Sequence, residues 1–177
     1  QKIVEIYPDQ IYGFDFHTIN EAVVKRYTDA GKTLAAAESC TGGLIASRLV
    51  DLPGASAMFG CGVVAYSNEA KQKLLGISAE TLERYGAVSR ECALEMARGV
   101  RAASGADVAV STTGLAGPDG GTDEKPVGLV YVAVVSDRFE DVRELHLARG
   151  RADDRENIRF RSSSHAFDLA LRALRQL

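Results

Sequence analysis

Three short segments of the sequence place hydroxyl, amine and glycine residues where they could carry out nucleophilic chemistry. The first, residues 38–43, reads Glu-Ser-Cys-Thr-Gly-Gly and follows a run of small residues. Its two glycines would let the backbone approach a ligand closely, and free N–H groups at the start of the next helix would bind an anion or oxyanion. Ser39 is therefore a candidate nucleophile. The alternative is that Ser39 or Thr41 caps the helix, which is the more common role of these residue types.

The second segment, residues 66–71, supplies a candidate base. Lys71 lies about one turn into a helix that is predicted to begin after Tyr66, and helical side chains lean toward the N-terminus of their helix. Its amine can therefore reach back to the end of the preceding strand, where burial would keep it neutral and able to accept a serine proton. The alternatives are a solvated lysine and, for the ring of Tyr66, core packing.

The third segment, residues 112–121, contains four glycines but lacks the Gly-Lys-Ser/Thr ending of a loop that binds nucleoside triphosphates. Its backbone N–H groups could still hold a phosphate, and a flexible connector is the alternative. Thr113 could contact a ligand or its own loop. All three histidines lie outside these segments, so a lysine must act as the base if Ser39 is the nucleophile.

Composition narrows the classes of function. The chain has 21 basic and 24 acidic side chains, a net charge of −3, which argues against binding of a nucleic-acid backbone. No apolar run is long enough to cross a bilayer, and the first residues lack the apolar centre of a signal peptide. Three well-separated cysteines fit a reducing cytoplasm. The acidic residues show no metal-ligand spacing, and neither a metal nor a cofactor is expected.

Strand and helix patterns alternate along the chain. Caps followed by apolar residues at helical spacing predict helices beginning near positions 18, 43, 67, 78, 89 and 154. The predicted strands are residues 33–37, 58–66, 108–113, 127–135 and 142–147. This order predicts a three-layer α/β/α sandwich with a mixed five-stranded sheet, since the last two strands can pair antiparallel. If the first three strands are parallel, the three segments meet at one edge of the sheet, where such folds bind ligands.

Five motifs in order resemble the C-terminal domain of the CinA family. They are AESCTGG (37–43), GVVAYSNEAK (62–71), GAVS (86–89), TGLAGPDGG (113–121) and KPVG (125–128). That domain also occurs as the stand-alone nicotinamide mononucleotide deamidase. The resemblance therefore implies a bacterial amidohydrolase that converts nicotinamide mononucleotide and water to nicotinate mononucleotide and ammonia, in pyridine nucleotide recycling.

The resemblance also implies roles for individual residues. It makes Ser39 the nucleophile and Lys71 the base, with Tyr66 and Thr113 as supporting catalytic residues. The expected substrate-binding residues are Thr41, Gly42, Gly43, Ser56, Gly114, Gly117 and Arg155. Among these, the backbone of residues 41–43 would stabilise an oxyanion, while the glycine-rich loop and Arg155 would hold the ribose phosphate.

The resemblance divides the chain into a leader or inter-domain linker, residues 1–17, and a CinA C-terminal-like amidohydrolase domain, residues 18–177. The expected partners are a small nucleotide substrate, further copies of the chain and, in a longer protein, an N-terminal CinA domain. Nucleic acid and membranes are not expected partners. The alternative function is a non-catalytic module of a competence- or damage-inducible protein, which would bind a nucleotide or recruit a partner.

Overall fold

A computed structural model describes residues 15–152 and 154–177 of the protein. In this part of the chain the helices are α1 (Ile19–Asp29), α2 (Leu44–Val50), α3 (Asn68–Leu75), α4 (Ala79–Arg84), α5 (Arg90–Ser104) and α6 (Asp154–Leu174). The strands are β1 (Leu34–Glu38), β2 (Phe59–Val64), β3 (Val108–Gly114), β4 (Leu129–Ser136) and β5 (Glu140–His146). Most of the predicted leader lies outside the described residues.

The five strands form one mixed sheet in the order β2-β1-β3-β4-β5. The central β1 is parallel to both β2 and β3, whereas β4 is antiparallel to β3 and β5. Glu38, the last residue of β1, pairs with Val64 on one side and Thr112 on the other. The ends of these three parallel strands therefore lie together, and we call this side of the sheet the carboxyl edge.

Helices cover both faces of the sheet, which confirms the predicted three-layer sandwich. Leu34 and Ala36 of β1 pack on one face with apolar residues of α1, α2 and α6. Ala35 and Ala37 point to the other face, where they pack with residues of α3 and α5. Because β1 is buried on both faces, its sequence is a continuous run of small and apolar residues without alternation.

Serine and threonine caps fix where four helices begin, as the sequence predicts. The side chains of Thr18, Ser67, Ser78 and Ser89 each accept a hydrogen bond from the N–H three residues later. Such caps satisfy an N–H that has no partner within the helix. A short 3₁₀ turn, Ala55–Ala57, precedes β2 and was not predicted. No helix in the described ranges is long and apolar enough to span a bilayer.

Contact between α3 and α5 depends on Gly99. A Cβ atom at this position would lie 1.9 Å from the carbonyl oxygen of Leu75, which is the last residue of α3. Backbone atoms cannot move aside as a flexible side chain can. The absence of a side chain at Gly99 therefore sets how closely the two helices approach each other.

We expect Gly99→Ala to lower the free energy of unfolding, measured by urea denaturation. Alanine favours a helix over glycine by about 1 kcal/mol, whereas overpacking against a backbone typically costs about 1–3 kcal/mol. The overlap should therefore outweigh the gain in helix propensity. Gly60→Ala in β2 is the control, because nothing lies within 4 Å of a Cβ there. A variant at position 99 as stable as the wild type would contradict this account of the packing.

Candidate active site

The structure brings Ser39 and Lys71 together at the carboxyl edge. Ser39 follows β1, and Lys71 is the fourth residue of α3. Lys71 Nζ lies 3.1 Å from Ser39 Oγ. The lysine side chain is unusually buried for its type, since the residue is only 1% exposed. The predicted reach of Lys71 back toward the preceding strand accounts for the contact.

The surroundings of the Lys71 amine favour its neutral form. Burial lowers the pKa of this amine, and the nearby Cys92 and Cys40 thiols offset that effect only in part. Among the described residues no carboxylate forms an ion pair with it. Two backbone carbonyls, those of Ala65 and Tyr66, lie 3.0 and 3.2 Å from Nζ.

A neutral amine fits these neighbours with every group satisfied. It has two N–H donors and one lone pair. Carbonyl oxygens can only accept, so Ala65 and Tyr66 take the two N–H groups and the lone pair is left for the Ser39 hydroxyl. In this state the hydroxyl donates to Lys71 Nζ, which is the arrangement of a serine nucleophile with its general base.

Hydrogen bonds from several elements hold residues 39–43, which we call the nucleophile loop. The Ser39 N–H donates to the Thr112 carbonyl at 2.9 Å, and the Gly42 N–H donates to the Ser39 carbonyl at 3.1 Å. Arg159 of α6 donates from Nη2 to the Thr41 carbonyl at 2.8 Å. Gly42 and Gly43 have φ values of 57° and 92°, in the left-handed region that favours glycine.

Glu38 is a structural part of this site that the sequence analysis missed. The residue is fully buried, and its two carboxylate oxygens accept from the N–H groups of Ile45 and Ala46 at 3.0 and 2.9 Å. A carboxylate is favoured at a helix N-terminus because it pairs with the free N–H groups and the positive end of the helix dipole. The signal in the sequence is an acidic residue that ends an apolar strand directly before a helix.

This carboxylate limits which N–H groups are available for the expected oxyanion site. The N–H groups of Ile45 and Ala46 are occupied by Glu38, and that of Gly42 by the Ser39 carbonyl. Within the described residues, the N–H groups of Thr41 and Gly43 donate to no acceptor. An oxyanion formed beside Ser39 would therefore have these loop N–H groups as donors, rather than the first N–H groups of α2.

Tyr66 and Thr113 make other contacts than those expected of catalytic side chains. The Tyr66 carbonyl holds Lys71, but its ring is 65% exposed. The Thr113 hydroxyl donates to the Ala87 carbonyl at 2.6 Å and so holds the loop that precedes α5. Lys125 reinforces that loop by donating to the carbonyls of Tyr85 and Val88.

Two expected substrate-binding glycines, Gly114 and Gly117, have close packing neighbours, and the expected Arg155 bonds to the glycine-rich loop. A Cβ at Gly114 would lie 2.7 Å from the Leu129 carbonyl oxygen, and one at Gly117 would lie 2.6 Å from the side chain of Val127. Arg155, near the start of α6, donates to the Gly117 carbonyl. These contacts tie the loop to β4 and α6, and they explain its glycines without a ligand.

Ser56 lies away from the other residues. It is exposed within the 3₁₀ turn that leads into β2, and the amino end of β2 pairs with the amino end of β1. This is the edge of the sheet opposite to Ser39. The geometry of one chain therefore gives no support to a substrate contact by Ser56, because β1 and β2 run parallel and separate the two edges.

A cleft of about 790 Å³ lies between the start of α2 and α6; its lining begins at Leu44, directly after the nucleophile loop, and contains neither Ser39 nor Lys71. Its lining includes the apolar side chains of Leu44 and Phe160 and the guanidinium groups of Arg155 and Arg159. Arg159 connects the cleft to the loop through its bond to the Thr41 carbonyl. In the part of the chain that the structure describes, no group of three or more His, Cys, Asp or Glu residues could hold a metal ion.

Comparison with known families decides the identity of this domain. The family model of the CinA C-terminal domain matches residues 16–174. The chain belongs to the CinA family. Two crystal structures from that family have the same fold. Competence/damage inducible protein CihA from Agrobacterium tumefaciens aligns with a TM-score of 0.84 at 41% identity, covering 89% of this chain and 94% of that one. For a CinA superfamily protein of Klebsiella pneumoniae the TM-score is 0.83 at 32% identity, covering 90% and 97%.

Longer relatives contain a region similar to this CinA domain. A protein of Caldanaerobacter subterraneus subsp. tengcongensis is 50% identical over 174 residues, which are 98% of this chain and 41% of the relative. A CinA-like protein of Syntrophomonas wolfei is 47% identical over 175 residues, 99% of this chain and 41% of the relative. The chain thus spans about two fifths of the length of the curated relatives it matches.

We expect Glu38→Gln to destabilise this CinA domain. An amide keeps one acceptor oxygen but turns an NH₂ group toward a backbone N–H, and an unsatisfied buried group costs about 1–3 kcal/mol. Urea denaturation would measure the loss. Glu83→Gln in α4 is the matched control, because that carboxylate is exposed and accepts no hydrogen bond from the described residues. Equal stability of the two variants would show that Glu38 does not hold α2.

Proposed function

We propose that this CinA domain hydrolyses the carboxamide of nicotinamide mononucleotide to nicotinate mononucleotide and ammonia. The observation that carries the proposal is the 3.1 Å contact between Lys71 Nζ and Ser39 Oγ, with the amine buried. Family membership supports it, because the motif resemblance implies this activity. The family and structural relatives are named for competence and damage induction, so the identity of the amide is part of the proposal.

The first half-reaction transfers the acyl group to Ser39. Lys71 accepts the hydroxyl proton while Oγ forms a bond to the carboxamide carbon, and the C=O electron pair moves to oxygen. The N–H groups of Thr41 and Gly43 stabilise this oxyanion. Lys71 then gives its proton to the amide nitrogen, the C–N bond breaks, and ammonia leaves an ester on Ser39.

The second half-reaction releases the acid and restores the serine. Neutral Lys71 accepts a proton from water while the water oxygen attacks the ester carbon. Collapse of the second oxyanion breaks the bond to Oγ, and Lys71 returns the proton to Ser39. The products are nicotinate mononucleotide and the starting form of the site. Every proton in both steps passes through the same amine.

The cleft beside the nucleophile loop supports a nucleotide as the substrate. Arg155 and Arg159 form no ion pair with a carboxylate of the described residues, and a guanidinium binds phosphate through paired N–H donors. Leu44 and Phe160 add apolar surface for the remainder of the ligand. We therefore propose that the phosphate lies on the α6 side of the nucleophile loop.

Ammonia release from nicotinamide mononucleotide tests the proposal. We expect turnover by the wild type, background release by Ser39→Ala, and a kcat lowered about 10²- to 10⁴-fold in Lys71→Met, the usual contribution of a general acid–base group. Ser104→Ala is the control, since its hydroxyl bonds to the Val100 carbonyl at the far end of α5. No release by the wild type, or equal release by Ser39→Ala, would favour the alternative of a non-catalytic binding module.

The pH dependence of kcat/KM follows from the lowered pKa of the Lys71 amine. The rate should rise with pH as Lys71 loses its proton and should level off above its pKa, because only the neutral amine accepts a proton. Burial lowers the pKa of Lys71, so the rise should be centred below the ordinary lysine value of 10.5. A rise centred at 10.5 would show that the amine is not desolvated in the active enzyme.

Stability provides an independent check of the same shift. Between the folded and unfolded pKa values of Lys71 the unfolded chain binds more protons, so the free energy of unfolding should increase with pH across that window. This contribution should be absent in Lys71→Met. Urea denaturation of both proteins over the alkaline range would measure the difference, and parallel profiles would contradict the lowered pKa.

A further inference from the structure

Two buried threonine hydroxyls join the nucleophile loop to β3. Thr41 Oγ1 lies 2.7 Å from Thr112 Oγ1, and neither residue is exposed to solvent. The Thr112 carbonyl also accepts the N–H of Ser39 at 2.9 Å. One residue of β3 therefore holds the loop at two points, on the nucleophile itself and two residues later.

We propose that Thr112 is a positioning residue, whose hydroxyl fixes the Thr41 N–H for the oxyanion and whose carbonyl holds Ser39 beside Lys71. The inference rests on the proposed amidase function and extends it to a residue outside the expected catalytic set. The carbonyl of Thr41 is held from the other side by Arg159. With its hydroxyl and its carbonyl both fixed, Thr41 has little freedom to rotate its backbone.

The alternation of side chains along β3 separates Thr112 from Thr113. Successive residues of a strand point to opposite faces of the sheet. Thr112 points toward the nucleophile loop, whereas the Thr113 hydroxyl donates to the Ala87 carbonyl, in the loop before α5. The contact with the nucleophile loop therefore comes from Thr112, whereas the family resemblance gives a supporting catalytic role to its neighbour Thr113.

The loss of the Thr112 hydroxyl can be separated from a loss of packing. Valine has nearly the shape of threonine, so Thr112→Val would preserve volume and remove only the hydroxyl. The buried Thr41 hydroxyl would then lack a hydrogen-bond partner. The nucleophile loop would rotate to bring it to another one. Because catalytic geometry is sensitive to displacements of about 1 Å, a small turn of the loop should reduce turnover without unfolding the domain.

Steady-state kinetics give the first test. We expect Thr112→Val to lower kcat about 10- to 100-fold, the range in which lost or misplaced oxyanion donors act, with KM unchanged. Thr112→Ser, which keeps the hydroxyl, should restore most of kcat. Ser111→Ala is the matched control, because it removes a buried hydroxyl of β3 that donates to the Ala93 carbonyl instead of the loop.

A double-mutant cycle identifies the hydrogen bond itself. Thr41→Val removes the other hydroxyl of the pair, so it should lower kcat to a similar extent. The double variant should be no worse than either single one, since all three lack the same contact. If Thr112→Val does not fold, as judged by thermal unfolding, Thr41→Val and Thr112→Ser carry the test.

Labelling with a fluorophosphonate separates this inference from the choice of substrate. The reagent forms a P–O bond to a nucleophilic serine Oγ as fluoride leaves and the hydroxyl proton passes to the base. We expect Ser39 to be labelled in the wild type and about 10- to 100-fold more slowly in Thr112→Val, for the same geometric reason. Mass spectrometry would locate and time the adduct.

The outcomes are distinct. The positioning role would be overturned if Thr112→Val turned over substrate and was labelled at wild-type rates. It would also be overturned if only KM changed, or if the losses of kcat in the double variant were additive. Labelling of Ser39 without ammonia release would overturn the proposed substrate, and the labelling rates would still decide the role of Thr112. Absence of both activities in the wild type would overturn the nucleophile and with it this inference.

Discussion

The amine of Lys71 has been removed from water and surrounded by three oxygen atoms, one of which belongs to the Ser39 hydroxyl. Burial of an ammonium without a carboxylate is unfavourable, and this burial lowers the pKa of the Lys71 amine. The two carbonyls that remain can only accept. When the amine is neutral they orient it, and its lone pair then faces the alcohol. The chemical capacity of the site therefore arises from a solvation penalty that the rest of the fold must offset.

Much of the architecture serves to bury the contact between the Lys71 amine and the Ser39 hydroxyl. The small residues of β1 let helices approach the sheet from both faces at the centre of the domain. The Ser67 cap determines where α3 begins, and Gly99 lets α3 lie close to α5. Together these features place the fourth residue of α3 over the end of β1. Deep burial of a long lysine side chain requires that the packing around it be this close.

The sequence predicts the layers, the strand order along the chain and the Ser39–Lys71 contact, because each depends on a local rule. Caps and glycines mark where the helices begin and end. Helical side chains lean toward the N-terminus of their helix in any tertiary context. The contacts of Thr112 and Glu38 depend instead on which face of a strand meets which loop. That information appears only once the strands are paired. For Ser56, the resemblance supplied a role that a single chain does not place near Ser39.

Strand ends were the least predictable part of the fold. β2 ends at Val64; the Ala65 N–H still donates to the Glu38 carbonyl, while the carbonyls of Ala65 and Tyr66 point to Lys71. β5 begins at Glu140, earlier than the apolar pattern indicates, because the backbone of this charged edge strand already pairs with β4 there. In both cases the backbone, rather than the side-chain pattern, decides the boundary.

The buried carboxylate of Glu38 has a consequence for the recognition of charge. Because it neutralises the positive end of α2, the main chain offers the cleft less attraction for anions than a bare helix terminus would. Under the proposed function, selectivity for a negatively charged ligand would then depend chiefly on the arginine side chains of α6. A single mutation can replace a side chain but cannot remove a backbone dipole. The charge preference of such a cleft can therefore change without any change at Ser39 or Lys71.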